Sequence, residues 1–172
     1  GMVNALMYFE KHTQDASLIE AAPLRGNFDL RDAKVIAPGD PFSSVLYYRM
    51  AKSGSGQMPH LGRTRVDIDG LNHIFDWISS MPVNKGKTTN SKDWVLRQIK
   101  TILAQEALSE MERDLEKLLE NSQGALGLAY ALDHDWLSTA QKNSARDVYN
   151  DMEASLSREI LSRKKKKKII YP

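Results

Sequence analysis

The sequence predicts a mainly α-helical protein, and three observations carry that prediction. Apolar residues recur at three- and four-residue spacing through most of the chain after Phe42, the rhythm that places them on one face of a helix. Capping signatures stand at the start of several of these stretches, notably Asp40-Pro41, Asp67 and Ser138-Thr139-Ala140-Gln141. Alternation of the kind a strand needs is confined to a weak pattern over 3–10, read as a short edge strand.

In chain order, residues 12–36 carry Pro23, Gly26 and scattered charges among short apolar pieces such as Leu18-Ile19, and they predict a long irregular segment wrapped on the core. The first helix is expected to start with Asp40 as cap and Pro41 at its first position, where the missing amide had no partner to lose. Phe42, Val45, Leu46, Arg49 and Met50 then share one stripe, and Ser53-Gly54 ends it. Asp67 caps a second helix whose inward face is Ile68, Leu71, Ile74, Phe75 and Ile78, with Trp77 on the flank and Pro82 at the end.

Residues 83–90 are polar and aperiodic, the composition of a linker. Beyond it Ser91 is a cap, and Trp94, Val95, Ile99, Ile102 and Leu103 form a stripe. Met111, Leu115, Leu118 and Leu119 form another, interrupted at Gly124. A short helix over 125–132 has almost no polar face and should be buried. The Ser138 capping box opens a final helix to about residue 162, with Ala145, Val148, Tyr149, Met152, Leu156 and Ile160 inward.

Between the first two helices, Gly54-Ser55-Gly56-Gln57-Met58-Pro59-His60-Leu61-Gly62 carries two apolar side chains in a glycine-rich loop. Two readings stand side by side. Met58 and Leu61 plug the loop onto the core, a common use of methionine, or the Met58 thioether faces a metal as an axial ligand does.

Three parts of this region stand in a recognisable order: Pro-Gly-Asp-Pro with a serine-valine-leucine centre at 38–50, a loop with Met58-Pro59, and a helix ending Asp76-Trp77-Ile78. Residues 28–82 thereby resemble the C-terminal half of the cytochrome-c-like domains found in large, multi-domain bacterial haem proteins of the planctomycete type. A weaker likeness to the helical linker of those proteins covers 122–133. Composition and periodicity give the linker 83–90, a C-terminal helical bundle over 91–162 and a basic tail over 163–172, while the resemblance implies a cytochrome-c-like helix-loop-helix remnant over 1–82. It also implies an electron-transfer origin, an extracytoplasmic or periplasmic location, Met58 as axial haem-iron ligand where haem c is present, and as partners a redox protein or other domains of a larger haem protein. The chain departs from the pattern in having no cysteine, so it lacks Cys-x-x-Cys-His and no cofactor is expected in this chain itself. A piece cut downstream of that motif and a relative that has lost haem both remain open.

At 172 residues the chain can bury a sizeable core, and its 41 % hydrophobic and 27 % charged content is that of a globular protein. No apolar run is long enough to cross a bilayer, and no signal peptide is visible in the first twenty residues. The formal charge is +2, and without the six cations of 163–168 the remainder carries −4, so no basic face for specific nucleic-acid binding is expected. The lysine run is a solvated end that can contact anionic surfaces.

Catalytic patterns are missing: there is no Gly-x-Ser-x-Gly elbow, no phosphate-binding glycine loop and no His-Glu-x-x-His. The histidines at 12, 60, 73 and 134 have no ligand spacing. His60 is either an exposed loop residue or lines the cavity beside Met58, and Asp133-His134-Asp135 is either a turn that caps its neighbours or a pair of carboxylates around a histidine that could take a metal. The expectation is a non-catalytic helical scaffold or interaction module, with half of a haem electron-transfer domain as the alternative.

Overall fold

The computed structural model describes residues 18–24, 26–59, 65–83, 91–151 and 160. Among them are a 3-10 turn at Pro41–Ser43 and six α-helices: α1 Val45–Ala51, α2 Ile68–Ser80, α3 Ser91–Leu103, α4 Leu108–Leu119, α5 Ser122–Asp133 and α6 Thr139–Asp151. The mainly α class holds, with no strand among the described residues. The expected strand at 3–10, most of the 83–90 linker, the end of the last helix near 162 and the basic tail lie outside those residues.

The described residues before the 3-10 turn are irregular, as their composition predicts, and two isolated parallel bridges fix them: Ile19 with Ile36, and Lys34 with Ser44. Val35 N donates to Ala21 O at 2.8 Å and Val45 N to Lys34 O at 2.8 Å, so the segment is laid against the start of α1 by backbone bonds. Phe28, with φ of 55°, stacks on Tyr48 at 5.0 Å, and this ring contact helps hold a left-handed conformation that costs a non-glycine residue about 1–2 kcal/mol.

The inward face of α1 differs from the predicted stripe. Tyr47, Tyr48 and Ala51 are buried with Val45, whereas Leu46, Arg49 and Met50 are only half-buried. The cause is a break: Pro41–Ser43 winds as a 3-10 turn and Ser44 is extended, with ψ of 116°, so α1 starts afresh at Val45 and the phase counted from Phe42 is lost. In α2, Leu71, Phe75 and Ile78 are buried, and Trp77 lies at the surface. Met111, Leu115, Leu118 and Leu119 of α4 are all buried, as are all residues from Ser122 to Ala129 in α5.

Gly124 does not interrupt a helix. The break falls at Asn121, whose side chain accepts from Gly124 N at 2.9 Å and caps α5, with Gly124 inside the first turn. Asp67 accepts from Gly70 N at 3.0 Å and caps α2. Asp67→Ala is expected to lower stability by about 1 kcal/mol, measurable as a shift in the urea midpoint. Before α6, Ser138 N donates to Gln141 Oε1 at 2.8 Å and Gln141 N reaches Ser138 Oγ at 3.4 Å.

One apolar cluster runs through all of this. It joins Leu30, Ile36, Phe42 and Leu71 from before the predicted linker to Val95, Ile99, Met111, Leu126 and Val148 from after it. The 3-10 turn is the pivot, since it packs against α1, α2, α3 and α5.

Candidate functional site

The most concentrated polar chemistry in the interior lies at that pivot and is built around Asp40. Gly39, at φ of +76°, donates its amide to Ile78 O at 2.8 Å, and a Cβ there would meet the Val83 side chain. The end of α2 therefore fixes the backbone immediately before Asp40. Asp40 is 4 % exposed. Its carboxylate does not cap its own helical turn, contrary to the reading from Asp40-Pro41. It caps α3 instead: Oδ2 accepts from Ser91 N at 2.8 Å and Oδ1 from Lys92 N at 3.1 Å.

The physical reason is that Asp40 already holds the 3-10 turn with its backbone carbonyl, which accepts from Ser43 N at 3.2 Å and from Ser44 Oγ at 3.0 Å. The carboxylate is left free to face the amides at the N-terminus of α3, where negative charge is favoured. Ser91, predicted as the cap of α3, is its first helical residue and is itself capped. Burial pushes the Asp40 carboxyl above the usual aspartate range, and the hydrogen bonds from Ser91, Ser43 and Lys92 oppose that shift.

Ser43 is the second member. Its Oγ lies 3.1 Å from Asp40 Oδ2, 3.0 Å from Arg31 O and 3.0 Å from Ser91 Oγ, and accepts from Gln123 Nε2 at 3.0 Å. Gln123 also donates to Arg31 O at 3.2 Å. Four segments of the chain thus meet in one buried polar knot: the irregular N-terminal segment, the 3-10 turn, α3 and α5. Sequence reading singled out Asp40 from this group for the wrong partner and gave no role to Gln123, because the partners lie 51 to 92 residues apart.

Beside the knot the interior is filled with rings. Phe42 lies 6.0 Å from Tyr47, 5.7 Å from Phe75 and 6.4 Å from Tyr130, and Phe75 stacks on Tyr130 at 4.4 Å. Tyr130 carries the His134 ring on its outer side at 3.9 Å, with Trp136 edge-on at 5.8 Å. Burial and the Asp76 charge raise the Tyr130 phenol above its ordinary value. In the Asp133-His134-Asp135 turn, His134 Nδ1 is 2.9 Å from Tyr130 O and Asp135 accepts from Lys142 at 2.9 Å, an arrangement that closes α5 and tethers α6.

The Met58 loop is tied to α1 from below. Met58 N donates to Arg49 O at 2.8 Å, Arg49 Nε to Gly56 O at 2.8 Å, and Lys52 Nζ to Ser55 O. Lys52 is 3 % exposed, its stem buried and its ammonium near the Tyr48 ring at 5.8 Å. Met58 itself is half-buried and stands apart from the apolar side chains packed on the core. His60, Leu61 and Gly62 lie outside the described residues.

A covalently held haem does not fit the residues present. The chain has no cysteine to form the thioether links. Of the two described histidines, His73 is exposed on α2 and His134 stacks on Tyr130. Among the described residues no group of three His, Cys, Asp or Glu side chains is arranged to hold a metal ion, and no helix is long and apolar enough to cross a membrane. The knot can brace, cap and exchange a proton internally. Its side chains, between 2 % and 9 % exposed, are closed to a substrate. The chain matches no family model, no curated protein and no solved structure.

Proposed function

We propose that this chain is a haem-free helical scaffold, related in design to a cytochrome-c-like helix-loop-helix, that works by holding an interaction surface rather than by catalysis. The Asp40 junction is the observation that supports this reading. A buried carboxylate, two serines and a glutamine, the groups from which a reactive site would be built, are spent on one another and on backbone atoms at a contact between helices. The exposed aromatic side chains are Trp77 on α2 and Trp94 on α3, 38 % and 42 % exposed, the second with the Arg31 guanidinium 6.0 Å from its ring. Exposed tryptophan and arginine side chains are among the residue types that dominate protein contacts.

Titration of the full chain with ferric haem, followed in the Soret region before and after reduction, tests the haem-free part of the reading. The expected result is a non-saturating spectrum that is the same for the wild type and for Met58→Ala. A saturable Soret band altered by Met58→Ala would establish the thioether as an iron ligand and overturn the proposal.

A further inference from the structure

Ser43 has a single hydroxyl proton and faces three oxygens at nearly equal distance. Of these, Ser91 Oγ at 3.0 Å carries a proton of its own and can donate in return, leaving two that, with Asp40 ionised, can only accept from it. Asp40 Oδ2 lies at 3.1 Å and the Arg31 carbonyl at 3.0 Å. With Asp40 ionised, the Ser43 proton belongs on the carboxylate, because a hydrogen bond to a charged acceptor is the stronger one. Gln123 Nε2, 3.2 Å from Arg31 O, then serves that carbonyl. With Asp40 protonated, the carboxyl O–H can donate to Ser43 Oγ while Ser43 turns its own proton to Arg31 O. Both arrangements use the same heavy-atom positions.

We propose that Asp40 and Ser43 form a one-proton switch at the junction between the helix-loop-helix and the C-terminal helices. Proton uptake reverses the Asp40–Ser43 hydrogen bond and weakens the hold of the carboxylate on the first amides of α3. One proton enters from water and remains on Asp40, and no covalent bond between heavy atoms changes. The switch stands independently of the scaffold role.

The surroundings favour a response carried by this one group. The packed elements carry Glu20, Asp29, Arg31, Asp32 and Lys34 on the irregular segment, Arg49 on α1 with Lys52 at its C-cap, and Asp69, His73 and Asp76 on the exposed side of α2. Lys92, Asp93, Arg97 and Lys100 lie on α3 and Asp133 on α5. The influences on the Asp40 carboxyl are burial and hydrogen bonds from Ser91, Ser43 and Lys92. Lys92 meets the carboxylate through its backbone amide, Arg31 reaches Ser43 through its carbonyl, and the first turn of α5 contributes the uncharged Gln123. Burial is the largest influence on Asp40 and raises its folded-state value. The native protein therefore binds this proton more tightly than the unfolded chain does. The resulting stabilisation is fully present below the unfolded value and is lost as pH rises through the folded one.

The test is an NMR titration of the full-length chain that follows the Asp40 side-chain carboxyl carbon and the amides of Ser91 and Lys92, with urea midpoints of the wild type and Asp40→Asn over the same range. Asp40 is expected to titrate above about 3.9, the value of a free aspartate. The two α3 amides should shift with the same midpoint, and the wild type should gain stability relative to Asp40→Asn as pH falls. An Asp40 midpoint at or below the free value would overturn the proposal, as would α3 amides that stay still while Asp40 titrates. The titration needs only the wild-type chain, so it decides the matter even if Asp40→Asn does not fold.

Discussion

Phe42→Ala is expected to lower the stability of the protein by about 3–5 kcal/mol, the range for deleting a fully buried aromatic ring. Phe42 has no exposed surface, and its ring lies between Tyr47, Phe75 and Tyr130, so its loss leaves a cavity lined by three elements. It also sits in the turn that packs on α1, α2, α3 and α5, where a cavity has few flexible neighbours to fill it. In a chain of this length the melting temperature should fall by roughly 10 °C. Leu24→Ala is the control, since Leu24 is 56 % exposed and its removal should change stability by less than about 0.5 kcal/mol. Equal small losses from both variants would show that the ring cluster is not the centre of the core.

Gly124→Ala is expected to destabilise the protein by about 3 kcal/mol, the upper end for overpacking against atoms that cannot move aside. The sign is the informative part, because the same change inside an ordinary helix stabilises by up to about 1 kcal/mol. A Cβ at Gly124 would fall on the Leu118 carbonyl oxygen, 2.7 Å from its carbonyl carbon and 2.9 Å from Leu118 Cγ. Relief would require moving the end of α4 away from the start of α5. Gly127→Ala offers the comparison: there the Cβ meets a methyl of the Val95 side chain rather than backbone, and a smaller loss should follow. Urea unfolding with unchanged slope would read both. A rise in midpoint for Gly124→Ala would mean that α4 and α5 do not approach so closely.

The features legible in advance are those governed by neighbours a few residues apart. The buried set of α4, Met111, Leu115, Leu118 and Leu119, follows from helical spacing alone. The contacts of Asp67 with Gly70 N and of Ser138 with Gln141 involve partners three residues away and follow from capping chemistry. The stripe predicted for α1 fails for a related reason: one extended residue, Ser44, resets the helical phase, and a stripe counted across the break turns the wrong side chains inward. Arg49, placed on that inner face by counting, instead holds the Gly56 carbonyl of the Met58 loop.

The candidate site was less legible than the fold. Asp40 beside Pro41 has the form of a local helix cap, and nothing near it in the chain announces Ser91, Lys92 or Gln123 as partners. A carboxylate has no sequence periodicity with which to mark a partner 51 residues away.

Interactions within one or two helical turns make the protein helical, set where α2 and α6 begin and turn one side of α4 inward, and these are legible along the chain. Tertiary structure decided where the Asp40 carboxylate goes, that Tyr47 and Tyr48 lie inside, and that Gly124 must be glycine for α4 and α5 to meet. Each of these is settled by which distant atoms are brought within a few ångströms, a matter of packing between elements rather than of spacing along the chain.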